Sequence, residues 1–64
     1  MPKVLTPKQV IILLRKNGFI LKRRKGSHFI FYNPTSQRRV TVPFHPKDLP
    51  KGTLHAILKQ AGLS

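Results

Sequence analysis

The sequence predicts a two-layer α+β domain with the element order α-β-β-β-α. Three observations favour this fold: a helix start signal near the N-terminus, three β-rich segments separated by turn residues, and an apolar helical stripe near the C-terminus. Short links between the β segments imply a three-stranded antiparallel sheet, and both helices then pack most simply on one of its faces. The other face stays open, and a binding surface can lie there.

The first helix is predicted to run from Pro7 to Lys16. Thr6 precedes it and can cap the free backbone N–H groups, while Pro7 suits the first helical position. Gln9 stands where a capping box requires a side chain that reaches back to the cap. Gly18 then ends the helix, because glycine readily adopts the left-handed conformation found after helix C-termini.

Three β-rich segments follow, at residues 19–25, 28–32 and 38–42. Gly26 and Ser27 form a tight turn between the first two, so these strands should pair as an antiparallel hairpin. Strict alternation of side chains predicts two same-face groups: Ile20, Lys22 and Arg24 on the first strand, and His28, Ile30 and Tyr32 on the second.

The last helix carries an apolar stripe with i, i+3, i+4, i+7 spacing, formed by Leu54, Ile57, Leu58 and Ala61. Asp48 is predicted to cap this helix, with Pro50 in its first turn, where a missing N–H costs little. Gly62 is the matching C-cap signal. Residues 1–64 are therefore interpreted as a single domain.

The charge balance is extreme: the 64 residues include 13 Lys and Arg but a single acidic residue, for a formal net charge of +12. One carboxylate cannot build a two-metal nuclease site, which needs several anionic oxygens, or the carboxylate pair of a glycosidase. Without cysteine there is no disulfide framework and no Cys-based zinc site. We therefore expect neither a metal ion nor another cofactor.

Two features concern the location of the protein. Small secreted domains usually carry disulfides, so the lack of cysteine and of a recognisable signal peptide predicts the cytoplasm. The longest unbroken apolar run, Val10–Leu14, is far too short to span a bilayer. We therefore expect no membrane partner.

Four consecutive cations, Lys22–Lys25, lead directly into Gly26-Ser27-His28. In a chain with one acid, the partner that best suits such a run is a phosphate backbone. The competing interpretation is a solvated edge strand that its charge protects from aggregation. Tyr32 would share a face with His28 and is the better candidate for stacking on bases, whereas Phe29 and Phe31 are favoured as core residues.

His28 is the first candidate for catalysis, because histidine can accept or donate a proton near neutral pH. RNA supplies its own nucleophile, the ribose 2′-OH, so a metal-free ribonuclease needs a base, an acid and cations around the phosphate. The alternative is that His28 only contacts phosphate or packs on the sheet, and the residue types alone favour that alternative. His45 is flanked by prolines and is interpreted mainly as a brace of its loop, and His55 as an exposed helix residue.

Four short motifs together resemble a known family. They are Asn17-Gly18-Phe19, Lys25-Gly26-Ser27-His28, Val42-Pro43-Phe44-His45 and the C-terminal stretch from Gly52 to Ser64. In this order and spacing they resemble the HicA-type toxins, mRNA interferases of the HicA–HicB toxin–antitoxin systems, also called the YcfA-like family. The resemblance extends over nearly the whole chain.

The resemblance implies a fold similar to a double-stranded-RNA-binding domain and an endoribonuclease that cleaves mRNA and blocks growth. It implies that His28 is catalytic and that a HicB-type antitoxin inhibits the enzyme, and the free toxin is expected to be a monomer. With the residue chemistry above, it leads to an expected set of RNA-binding residues: Lys22, Arg24, Lys25, Ser27, Tyr32 and His45.

Two other functions stay open beside the ribonuclease. One is a non-catalytic RNA-binding module of the same shape, although the last helix lacks the tight lysine cluster typical of double-stranded-RNA-binding domains and offers only Lys47 and Lys51 nearby. The other is a protein whose basic surface binds only an acidic partner. Cleavage and binding assays with RNA separate the three.

Overall fold

The computed structural model describes residues 5–44 and 47–63 of the chain. Its elements follow the predicted order: α1 (Pro7–Lys16), β1 (Ile20–Lys25), β2 (His28–Asn33), β3 (Arg38–Pro43) and α2 (Lys51–Ala61). The strands form one antiparallel sheet in the spatial order β1-β2-β3, so β2 is the central strand. The predicted α-β-β-β-α fold is confirmed.

The start of α1 has the predicted capping box. The Thr6 hydroxyl accepts a hydrogen bond from the Gln9 backbone N–H at 3.2 Å, and the Gln9 side-chain oxygen accepts one from the Thr6 N–H at 2.9 Å. Two backbone donors that the helix itself cannot satisfy are thereby paired. At the other end Gly18, with φ of 89°, follows the C-cap residue Asn17 and turns the chain toward β1.

The described residues form a hydrophobic core between the two helices and one face of the sheet. We call this face of the sheet the helix face. From the sheet, Phe31, Val40 and Val42 are fully buried in it. The helices contribute their apolar stripes, which consist of Val10 and Leu14 from α1 and of Leu54, Ile57, Leu58 and Ala61 from α2. The connecting segments add Leu5, Phe19 and Leu49. The opposite side of the sheet, the open face, carries neither helix.

The predicted cap of α2 is wrong. The N-cap position is occupied by Pro50, and no side chain caps the helix, which begins at Lys51. Asp48 lies two residues too early because Leu49 is buried and its N–H donates to the Leu5 carbonyl at 2.9 Å. This tertiary contact holds the approach to the helix extended. The C-terminal signal is confirmed, since Gly62 adopts the left-handed conformation with φ of 74°.

Strand β1 contains a bulge that changes the predicted faces. Leu21 pairs with Phe31 of β2, but the next paired residue is Arg23, opposite Ile30, so Lys22 is an extra residue in β1. Beyond the bulge the alternation is shifted by one position. Arg24 therefore lies opposite Phe29 on the helix face rather than with Ile20 and Lys22, which corrects the grouping expected from strict alternation.

Candidate nucleic-acid interface

The open face consists of three rows of side chains that run across the strands. The register places Lys25, His28 and Pro43 in the first row, Arg23, Ile30 and Thr41 in the second, and Ile20, Tyr32 and Arg39 in the third. Lys22, at the bulge, adds a fourth cation above the ring of Tyr32. The only acidic residue of the chain is Asp48, which lies outside the sheet. All charged side chains of the open face are therefore cationic.

His28 is exposed at the first position of the central strand. The two-residue turn before it has a positive φ of 58° at Gly26, and Ser27 does not share this, which is the pattern of a type II′ hairpin turn. Lys25 lies directly across the hairpin from His28, a pairing in which Cβ atoms are about 4.5–5.5 Å apart. A phosphate at the imidazole is thus within reach of the Lys25 ammonium group.

Residues at the end of β3 also contact the turn that precedes His28. The Phe44 N–H donates to the Ser27 carbonyl at 2.6 Å, and Pro43 is the cross-strand neighbour of His28 on β3. The imidazole is therefore flanked by the hairpin on one side and by the end of β3 on the other. Backbone contacts of this kind place a side chain more reproducibly than a free loop does.

Tyr32 marks the other end of the open face. It lies four residues along β2 from His28, a separation of roughly 13 Å at about 3.3 Å per residue. The Lys22 Nζ atom is 5.6 Å from the centroid of its ring, within the range of a cation–π contact, and Arg39 lies opposite it on β3. An aromatic ring and two cations are thus grouped at a distance from the histidine.

The structure brings most of the predicted site together and separates Arg24 from it. His28, Lys22, Lys25 and Tyr32 share the open face, and Ser27 is in the adjoining turn. Arg24 lies on the helix face, where its guanidinium carbon is 5.0 Å from the centroid of the Phe29 ring. His45 lies outside the described residues.

Sequence reasoning missed two cations of the open face, Arg23 and Arg39. Arg23 faces this side because of the bulge, which no residue pattern announces. Arg39 had a usable signal, since a third strand over residues 38–42 that pairs with β2 in this register must place it beside Tyr32.

Two other features, a metal-binding group and a membrane-spanning helix, were sought among the described residues. Within residues 5–44 and 47–63, no three His, Cys, Asp or Glu side chains are grouped in a way that could hold a metal ion. Neither helix in this part of the chain has the length and apolar character needed to cross a membrane.

Comparison with known families matches residues 7–63, or 57 of the 64 residues, to the family described as the HicA toxin of bacterial toxin-antitoxin. The chain belongs to the HicA toxin family. The resemblance carried by the four motifs is thereby confirmed, and the matched segment includes the whole open face. This HicA toxin is the toxin component of a toxin–antitoxin system, which implies an antitoxin partner and RNA as its class of target. No curated protein matches the chain.

Proposed function

We propose that this HicA toxin is an endoribonuclease that cleaves mRNA without a metal ion and uses His28 for proton transfer. The observation that supports this most directly is the position of His28. It is exposed on a cationic surface, opposite Lys25 and next to a turn held by the backbone hydrogen bond from Phe44 to Ser27. A titratable group, a phosphate-binding cation and an approach for the substrate therefore meet at one place.

The reaction needs no nucleophile from the protein. The ribose 2′-oxygen attacks the adjacent phosphorus, the bond from phosphorus to the 5′-oxygen breaks, and the products are a 2′,3′-cyclic phosphate and a free 5′-hydroxyl. One proton leaves the 2′-OH and one is delivered to the 5′-oxygen. A neutral imidazole at position 28 serves as the base for the first transfer, or an imidazolium as the acid for the second.

Charge accumulates on the phosphate oxygens as the 2′-oxygen attacks, and this is where Lys25 contributes. Its ammonium group faces the same position as the imidazole and stabilises that charge more than it stabilises the ground state. The Ser27 hydroxyl and the turn N–H groups are further donors at this end of the hairpin. Lys22, Arg23 and Arg39 then bind the phosphates that flank the cleaved one, and Tyr32 offers a ring for a base.

The composition favours a metal-independent route. Hard divalent cations such as Mg²⁺ require several oxygen ligands, usually with more than one carboxylate, and this chain has only Asp48. Cations that are part of the protein supply the electrostatic stabilisation instead.

Cleavage of an mRNA transcript in excess chelator tests the proposal. The wild-type toxin should cut, and the 5′ fragments should end in a 2′,3′-cyclic phosphate. His28→Ala should lower the single-turnover rate at least about 100-fold, the usual contribution of a general acid or base. His55→Ala is the matched control, because His55 is exposed on α2 and should leave the rate within twofold of wild type.

Three results would contradict the proposal: a requirement for added metal, fragments with a 3′-hydroxyl, or equal rates for His28→Ala and the wild type. If the wild-type toxin bound the transcript without cutting it, the non-catalytic RNA-binding module would replace the enzyme.

We further propose that the antitoxin partner is of the HicB type and covers the open face with an acidic surface. The net charge of +12 and the four cations of this face favour a partner of opposite charge at the same surface that binds RNA. Reversing the charges of Lys22 and Arg39 should weaken antitoxin binding at least tenfold. The same reversal at Lys16 and Lys59, which are exposed on the two helices, should have a much smaller effect. Equal losses for the two pairs would contradict this choice of surface.

A further inference from the structure

We propose that Arg24 is a positioning residue rather than an RNA contact, and that it acts with Phe29 and Phe44 to hold the turn that carries His28. We call these three side chains the Arg24–Phe29–Phe44 stack. The proposal rests on the proposed function of His28, and it assigns a role to residues on the face of the sheet opposite the histidine.

The stack is defined by two contacts with one ring. The guanidinium carbon of Arg24 is 5.0 Å from the centroid of the Phe29 ring, a cation–π distance. The ring centroids of Phe29 and Phe44 are 4.8 Å apart, and the ring planes differ by 17°, which is a stacked arrangement. Phe29 also packs against the hydrophobic core, so the stack has a fixed base. Phe44 is 37% exposed and joins the end of β3 to this base.

Phe44 contacts both chain neighbours of His28. Its backbone N–H donates to the carbonyl of Ser27, the residue before the histidine, at 2.6 Å. Its ring stacks on Phe29, the residue after the histidine. The backbone on the two sides of the imidazole is therefore held by one residue, and Arg24 covers the ring to which that residue is attached. Loss of the stack would leave His28 on a hairpin end with a freer backbone.

The geometry separates Arg24 from its neighbour Arg23. The two residues carry the same charge and are adjacent in sequence, but the bulge places Arg23 opposite Ile30 on the open face and Arg24 opposite Phe29 on the helix face. Arg23 is thus a natural matched control. An RNA contact depends on charge on the open face, whereas a positioning role depends on the stack.

The first experiment compares Arg23→Gln and Arg24→Gln in binding to a 2′-O-methyl RNA, which lacks the attacking hydroxyl. Arg23→Gln should weaken binding and lower the slope of log K against log salt by about 0.7 for one lost phosphate contact on a single strand. Arg24→Gln should leave the affinity within twofold and the slope unchanged, yet lower kcat for a cleavable transcript about three- to tenfold. An equal loss of slope for both variants would overturn the proposal.

The second experiment changes the stack at Phe44. Phe44→Ala should lower kcat about tenfold with KM within twofold of wild type, and Phe44→Tyr, which keeps the stacked ring, should restore most of the rate. Ile12→Ala is the control for loss of exposed apolar surface, because Ile12 is 50% exposed on α1. If Phe44→Ala behaved like Ile12→Ala, or if Phe44→Tyr were as slow as Phe44→Ala, the positioning role would be refuted.

A third measurement does not depend on cleavage and keeps this proposal distinct from the proposed function. NMR order parameters of the Ser27 and His28 backbone amides should fall in Phe44→Ala and in Arg24→Gln, but not in Ile12→Ala or Arg23→Gln. Unchanged order parameters would refute the positioning role of the stack even if the enzyme were active. Lowered order parameters in a protein that cuts no RNA would support the stack while the proposed function failed.

Discussion

Replacement of Asn33 by alanine should destabilise the protein more than any ordinary surface change. Asn33 is only 7% exposed, although its side chain is polar. Its amide nitrogen donates to the Asn17 carbonyl at 2.9 Å, and its amide oxygen accepts from the N–H groups of Thr35 and Ser36 at 2.9 and 3.2 Å. One side chain therefore ties the C-terminal end of α1 to the turn between β2 and β3.

The magnitude follows from these three hydrogen bonds. Each contributes about 0.5–1.5 kcal/mol net, and the lower half of this range applies here because Asn17, Thr35 and Ser36 are exposed and can bind water instead. We expect Asn33→Ala to lower the free energy of unfolding by about 2 kcal/mol. A 64-residue domain has roughly 3–10 kcal/mol in all, at about 0.05–0.15 kcal/mol per residue. One amide would then account for a large fraction of the stability.

Urea unfolding followed by circular dichroism measures the effect. With an m-value of about 1 kcal/mol per molar, at the low end for a small protein, the midpoint should fall by about 2 M. Ser36→Ala is the control, because it removes only a long 3.4 Å hydrogen bond from the Arg38 N–H at an exposed position and should change stability by less than about 0.5 kcal/mol. Equal midpoints for the two variants would refute the reasoning about the buried amide.

Two further predictions concern backbone conformations. Gln37 has a φ of 60°, which strains a residue with a side chain, so Gln37→Gly should raise the free energy of unfolding by about 0.5–1 kcal/mol, measured by the same urea titration; a loss of stability would contradict this. Gly62→Ala should lower the free energy of unfolding by about 1–2 kcal/mol, because φ is 74° and the new Cβ would lie 2.8 Å from Arg38 Nε. Gly52→Ala in α2 is the control: its new Cβ meets nothing within 4 Å, so the change should be neutral or stabilising by up to about 1 kcal/mol. Equal effects at the two glycines would show that neither the conformation nor the contact matters.

The predictable parts of this fold are those set by residues close together in sequence. Thr6 and Gln9 form the capping box as expected, and Gly62 adopts the left-handed conformation expected after α2. The Gly26-Ser27 turn sets the hairpin that brings Lys25 opposite His28. Each of these features depends on a few neighbouring residues, so a single sequence contains all the information that decides it.

The start of α2 shows where such local reasoning ends. Asp48 has the right chemistry for a cap, but Leu49 is buried and bonded to Leu5, 44 positions earlier in the chain. The helix therefore begins only after Pro50. A contact between residues this far apart outweighs a capping preference of about 1 kcal/mol, and nothing near residue 48 reveals it.

The bulge in β1 could not be predicted from the sequence for a different reason. The register of a strand is read from its alternation of apolar and polar residues, and Lys22–Lys25 offers four cations with no alternation at all. Each of these four side chains could lie on either face of the sheet. The face on which each residue lies is set by pairing with β2, in which Arg24 is opposite Phe29 and Arg23 is opposite Ile30.

The same bulge also determines how the charge of β1 is divided between the two faces of the sheet. A regular β1 in the register of Leu21 would turn Lys22 and Arg24 to the open face and Arg23 and Lys25 toward the helices. The observed strand turns Lys22, Arg23 and Lys25 to the open face and leaves Arg24 on the other. One extra residue thus raises the number of β1 cations on the proposed RNA surface from two to three, and it sets Lys25 beside His28. The cation that it moves away is the one that covers Phe29. The extra residue thus accounts for the third β1 cation of the proposed RNA surface and for the position of Arg24 in the stack that we propose to support the histidine.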